Sequence, residues 1–100
     1  MDDLKLLSIK PSTTEGKKYD ATFKRANGRT KKTSFGAKGY DDFTKTKDTA
    51  QKERYIQRHK RGGENWADPT SAGALSRYIL WGDSTSIMTN ISNYKKRFNL

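Results

Sequence analysis

Residues 72–82 read Ala-Gly-Ala-Leu-Ser-Arg-Tyr-Ile-Leu-Trp-Gly, the one run in the chain apolar enough to be buried from several sides. Asp68-Pro69 just before it is a helix-start signal: proline tolerates the first helical position, and aspartate accepts from the free amides of the first turn. A helix opening near Pro69 places Leu75, Tyr78, Ile79 and Trp81 at helical spacing, with Leu80 widening the apolar face. Gly82 stands where a left-handed residue would end such a helix. A helix apolar over most of its girth belongs in a core, so the rest of the chain is expected to pack onto this one.

What can pack onto it is limited. Only 31% of the 100 residues are hydrophobic and the mean hydropathy is −1.08, which leaves little apolar surface to offset chain entropy. The 11% aromatic content argues against wholesale disorder, because each ring buries a large area. One small basic domain over 1–100 is expected, strand-rich over 1–36 and built of loops and helices over 37–100. With no cysteine, the chain forms no disulfide or thiolate metal site. No apolar run approaches the roughly 20 residues of a membrane span, and Met1-Asp2-Asp3 is acidic where a signal peptide is basic. These features predict a soluble protein that is not secreted.

The N-terminal third alternates. Leu4, Leu6, Leu7 and Ile9 before Pro11 predict a first strand, and Tyr19, Ala21 and Phe23 share one face of a second over 17–25. Asn27-Gly28 accepts positive φ at both positions and so favours a hairpin turn into a third strand over 29–35. A strict two-residue turn would set Phe23 opposite Lys32 and turn Phe35 to the other face. A one-residue bulge, or a longer loop around residues 26–29, shifts the third strand by one and returns Phe35 to the face of Tyr19 and Phe23. The bulged register is the expected one.

Further on, Gly36-Ala37-Lys38-Gly39 lacks the Lys-Ser or Lys-Thr of a phosphate loop. Tyr40 and Phe43 are expected to dock this stretch on the core, with Asp41-Asp42 solvated or capping a turn. Asp48-Thr49-Ala50-Gln51 resembles a capping box, and residues 52–60 continue as a helix with Tyr55, Ile56 and His59 on one face. Gly62-Gly63 ends it, and residues 64–68 form a loop anchored by Trp66. Asp83-Ser84-Thr85 can cap a last helix whose Ile87, Ile91, Tyr94 and Phe98 form one apolar stripe, with Met88 filling the space towards residues 72–81. The predicted class is therefore α+β: a small antiparallel hairpin or three-stranded sheet packed with about three α-helices.

Charge carries the functional signal. The net charge is +10, from 21 Lys and Arg against 11 Asp and Glu, and it is clustered. Residues 17–38 hold eight cations and only Asp20 against them, while residues 45–61 hold seven against two acids. Lys24, Arg25, Arg29, Lys31 and Lys32 surround the hairpin tip, and Arg54, Arg58, Lys60 and Arg61 fall on the helix that follows. These nine are the candidate polyanion-binding residues. Lys95-Lys96-Arg97 lies in the last turn of the final helix, where cations also complement the helix dipole. No zinc-finger, recognition-helix or RNA-binding sheet signature is present, so nucleic acid would be met through its phosphates and with little regard to sequence.

The run Phe35-Gly36-Ala37-Lys38-Gly39-Tyr40-Asp41-Asp42-Phe43-Thr44 is followed by Lys47-Asp48, Arg54-Tyr55, Arg58-His59-Lys60, the whole of residues 71–82 and Tyr94-Lys95-Lys96-Arg97-Phe98. This ordered combination resembles a family of small basic proteins encoded by large nucleocytoplasmic DNA viruses. The resemblance covers roughly residues 19–100 and brings no catalytic or ligand residue with it. It implies a virion or infected-cell setting, with viral capsid or core proteins as partners.

Catalysis finds least support. His59 is the one histidine, so no histidine pair or His-based metal cluster can form within the chain, and no Gly-x-Ser-x-Gly elbow occurs. Asp41, Asp42, Asp48 and Asp83 have no spacing that selects a metal site. No cofactor is expected. Two roles remain: a non-enzymatic minor capsid or core protein meeting acidic protein surfaces or packaged DNA, and a free, sequence-tolerant DNA- or RNA-binding accessory protein.

Overall fold

The computed structural model describes residues 4–62 and 66–100. Met1-Asp2-Asp3, Gly63 and the start of the 64–68 loop lie outside the described residues. Three antiparallel strands, β1 (Lys5–Pro11), β2 (Lys17–Lys24) and β3 (Thr30–Ala37), form one sheet in the order β1-β2-β3. Four α-helices follow: α1 (Phe43–Thr46), α2 (Thr49–Arg61), α3 (Ala72–Leu75) and α4 (Ile87–Phe98). A π-helical turn over Ser76–Leu80 continues α3. The α+β class is as expected, with α1 as an addition.

The hairpin solves the register problem with a three-residue loop. Arg25 N–H donates to the Arg29 carbonyl at 2.8 Å, Gly28 N–H donates to the Arg25 carbonyl at 2.9 Å, and Gly28 takes φ +84°. That extra residue sets Phe23 opposite Lys31 and Tyr19 opposite Phe35, whose ring centroids are 5.9 Å apart. Phe23 and Phe35 thus enter the same core. On the other side of β2 the pairing with β1 slips between Leu6 and Ser8. The slip leaves Leu7 as the extra residue, half exposed, and keeps Leu6 and Ile9 on the core face despite their odd spacing.

The helices cover that one face. Leu75, Ile79, Leu80 and Trp81 are buried against Phe23, Phe35, Phe43, Tyr55 and Tyr94. Trp81 stacks on Tyr55 with centroids 4.4 Å apart and planes 9° from parallel, which fastens α2 to the rest. Asp48 caps α2 as the sequence predicts, accepting from Ala50 and Gln51 N–H.

Several local expectations are corrected. The central helix begins at Ala72, not Pro69, because Ser71 is the residue that caps it, accepting from Ala74 N–H at 3.1 Å. Asp68 instead accepts from the N–H and hydroxyl of Thr70, and the Pro69 carbonyl accepts from the Tyr94 hydroxyl at 2.6 Å. Ser86 caps α4, downstream of the predicted Asp83-Ser84-Thr85. Met88 is 72% exposed, since Asn90 occupies the interior place assigned to it. Of the predicted stripe, Tyr94 is fully buried whereas Ile87, Ile91 and Phe98 are partly so. Tyr78 is likewise half-buried, with the Arg97 guanidinium 4.1 Å from its ring. Tyr40 does not dock and is 72% exposed, so Phe43 is the aromatic side chain that anchors its segment in the core.

Candidate polyanion-binding surface

Because every buried apolar residue of the sheet projects towards the helices, the opposite face of β1–β3 meets solvent except at Asp20, which is buried with its bonds to Ser12 and Ser34. Alternation from Leu6, Ala21, Phe23 and Phe35 assigns Lys5, Lys10, Lys24 and Lys32 to this outer face. Lys5 stands directly across from Lys24, Lys10 from Asp20, and Lys32 from Thr22. Like charges directly opposite each other in an antiparallel pair are destabilising, since their Cβ atoms lie only about 5 Å apart. Asp20 is the one acid in these rows. Its carboxylate accepts from Ser34 Oγ at 2.6 Å and Ser12 Oγ at 2.7 Å, with Lys32 Nζ at 3.8 Å. Those hydroxyl bonds, with smaller help from Lys32, hold its pKa below the ordinary value, so it stays ionised at neutral pH. The face therefore keeps an excess of cations even at its most acidic point.

The nine residues singled out from the sequence are all exposed, but the fold distributes them over different surfaces. Lys24 and Lys32 belong to the outer face. Lys31 points to the other side, where its ammonium donates to Thr70 Oγ1 at 3.2 Å. Arg25 and Lys31 both add to the fields that lower the Asp68 pKa, after the larger effect of the Thr70 hydrogen bonds. Arg29 sits in the hairpin tip, where it closes the loop. Arg54, Arg58, Lys60 and Arg61 lie on α2, in the helical layer. Lys5 and Lys10 are not marked by local charge density, because they join the surface only through the pairing of β1 with β2. A signal for them exists in the sequence all the same: Leu6 and Ile9 are three apart, which a bulge at Leu7 reconciles with one buried face.

A second feature is an open cleft of about 580 Å³ between the end of β3 and α2, with Leu80 and Trp81 among its lining and Lys17, Arg58 and His59 at its rim. The 36–42 segment borders it and is held by an ion pair that no local pattern in the sequence announces. Lys18 Nζ lies 2.6 Å from Asp42, and both side chains are largely buried. The neighbouring Asp41 is more exposed and faces Lys45 at 3.8 Å. Among the described residues, no group of three or more histidine and acidic side chains converges as a metal site would require, and no helix is long and apolar enough to cross a membrane.

The model of a family of unknown function (DUF5754) matches residues 7–59. That span takes in most of the sheet, including Lys10, Lys24 and Lys32, together with α1 and most of α2. No curated protein matches the chain, and no solved structure does.

Proposed function

Since this chain belongs to the family of unknown function DUF5754, we propose its role from its surface: it is a non-enzymatic small basic protein whose outer sheet face binds the phosphates of nucleic acid, as a structural component of a virus particle. The observation that carries this reading is the Lys5 and Lys24 pair, which no ion pair relieves among the described residues, flanked by Lys10 and Lys32 on the face turned away from the helices. Such a face costs folding stability when empty and is relieved by an array of anions. Polar Ser8, Thr22 and Thr30 between the lysines offer hydroxyls to phosphate oxygens. No aromatic side chain lies among these outward positions, so bases have no stacking platform there and contact stays with the backbone. The resemblance to small basic proteins of large DNA viruses supports placing the protein in the virion or the infected cell, where packaged DNA supplies the polyanion.

Lys24→Glu tests the reading in two directions at once. The substitution sets a carboxylate opposite Lys5, so thermal stability should rise by the roughly 0.2–1 kcal/mol of an opposite-charge cross-strand pair. Duplex DNA binding should weaken on every sequence, with a log-log salt slope shallower by about 0.9 for each phosphate no longer neutralised. If the wild-type protein fails to bind DNA at low salt, the phosphate reading is wrong and an acidic protein becomes the partner to seek. Absence of the protein from purified particles would remove the structural role.

A further inference from the structure

Resting on that reading, we infer that the protein carries two separate nucleic-acid surfaces and bridges two duplex segments. The first is the outer face of the sheet with Lys5, Lys10, Lys24 and Lys32. The second is the solvent face of α2, with Arg54, Lys60 and Arg61. Tyr55 is buried and stacked on Trp81, so α2 belongs to the helical layer that packs on the inner face of the sheet. Arg54, Lys60 and Arg61 are exposed on this helix, whereas Lys52 is drawn in towards the Phe43 ring and Asp83. The hydrophobic core therefore lies between the two cation groups.

The core between them limits their coupling. The molecule is 25 Å across at its narrowest, and charges more than a Debye length apart, about 8 Å at physiological ionic strength, are largely screened from one another. A duplex neutralising one face leaves the charge on the other available. A duplex also cannot wrap a body this small: its persistence length is about 150 base pairs, so it engages one face at a time. Two rigid polyanions, one on each layer, satisfy both groups. The two faces carry seven of the 21 cations of the chain, against Asp20 on the sheet and the exposed Glu53 on α2, and neither has a base-reading element.

The test uses the full chain and two duplexes of unrelated sequence, one immobilised and one labelled in solution. At about 0.15 M salt, where the Debye length is about 8 Å, protein saturating the first duplex should capture the second, and sedimentation of the free protein should give a monomer. Lys24→Glu with Lys5→Glu should weaken binding to a single duplex on every sequence without abolishing it, because the α2 cations remain, and should reduce capture of the second at least tenfold. Arg54→Glu with Arg61→Glu should do the same. Circular dichroism of both variants checks that the fold persists, and the gentler Lys24→Gln and Arg54→Gln replace any variant that does not fold. Single-duplex binding without capture overturns bridging while the phosphate reading stands. No single-duplex binding overturns both. Capture that tracks a dimer in sedimentation, or that survives loss of either cation group, also overturns the two-surface inference.

Discussion

The side-chain amide of Asn90 occupies the space that a methyl group on Gly82 would need: a Cβ there would lie 2.7 Å from Asn90 Cγ and against the Tyr78 carbonyl. Asn90 is completely buried. Its Nδ2 donates to the carbonyls of Ile79 and Ser84 at 2.8 and 2.7 Å, and its Oδ1 accepts from Ser84 N–H at 3.0 Å. One side chain thus satisfies the backbone where the π-helical turn gives way to the connection into α4. Gly82 is glycine for closeness of approach, not for the left-handed helix end that its position in the sequence suggests.

Asn90→Ala should therefore be among the most damaging single substitutions. It strands the Ile79 carbonyl and both Ser84 backbone groups, and buried unsatisfied groups cost about 1–3 kcal/mol each, less than additively. A loss of about 2–4 kcal/mol is expected, seen as a Tm lowered by at least about 8 °C in a domain of this size. Gly82→Ala should reproduce the loss by overpacking. Thermal melts of both variants within about 1 °C of wild type would remove this contact from the account of stability.

Tyr94 gives the fold an alkaline limit. Burial, helped by the nearby Asp68 and Tyr78, pushes its phenol well above the ordinary value of 10.0, and the hydroxyl donates to the Pro69 carbonyl. Above pH 10 the unfolded chain loses that proton while the folded chain keeps it, so stability is full below pH 10 and declines as pH rises further. Tyr94→Phe should cost about 1 kcal/mol at neutral pH through the missing hydrogen bond and flatten the decline above pH 10. Denaturant melts of the two proteins at pH 8 and pH 11 measure the difference; parallel declines would show that Tyr94 is not its source.

Asp20 acts at the other end of the scale. Its lowered pKa means that the unfolded carboxylate takes up a proton first as pH falls below 3.8, so its contribution is present above that pH and is lost beneath it. Asp20→Asn should make stability less sensitive to acid over this window. The same change removes the one acid from the outer rows and should strengthen duplex DNA binding, with a steeper salt slope. Unchanged or weaker binding would mean that DNA does not meet this face.

Fold class was legible in the sequence because each element carried its own pattern. Tyr19, Ala21 and Phe23 alternate, Asp48 precedes a helical run, and the demand that Phe23 and Phe35 share a core selects the hairpin register from the residues alone. What escaped was non-local. Tyr40 and Phe43 look alike as aromatic anchors, yet only Phe43 begins a helix that turns its ring inward. Met88 looks like core and Asn90 like surface, and the order is reversed because backbone groups at the π-helical turn need an amide. For the candidate surface, local charge density located the hairpin cations but not their directions, which depend on strand pairing. Lys5 and Lys10 are far from the hairpin in sequence and reach the same face only through β2.

Lys31 and Lys32 are adjacent in sequence and identical in chemistry, and the fold gives them opposite tasks. Lys31 donates to Thr70 Oγ1 and lies within the field of Asp68, which places it on the helical side. Lys32 projects from the outer face across from Thr22. Lys31→Glu would set a second carboxylate beside Asp68 and leave Thr70 without that donor, so the expected effect is on stability, about 1 kcal/mol or somewhat more, with the salt slope of duplex DNA binding unchanged. Lys32→Gln keeps the stem and removes the charge. Its pairing with Asp20 is loose at 3.8 Å and its side chain is 56% exposed, so stability should move by less than about 0.5 kcal/mol. DNA affinity should fall at low salt, and the slope should become shallower by about 0.9. Melting curves and two-salt titrations on this pair separate a surface read from its orientation from one read from charge density alone: equal losses of DNA binding in both variants would reject the outer face as the binding surface.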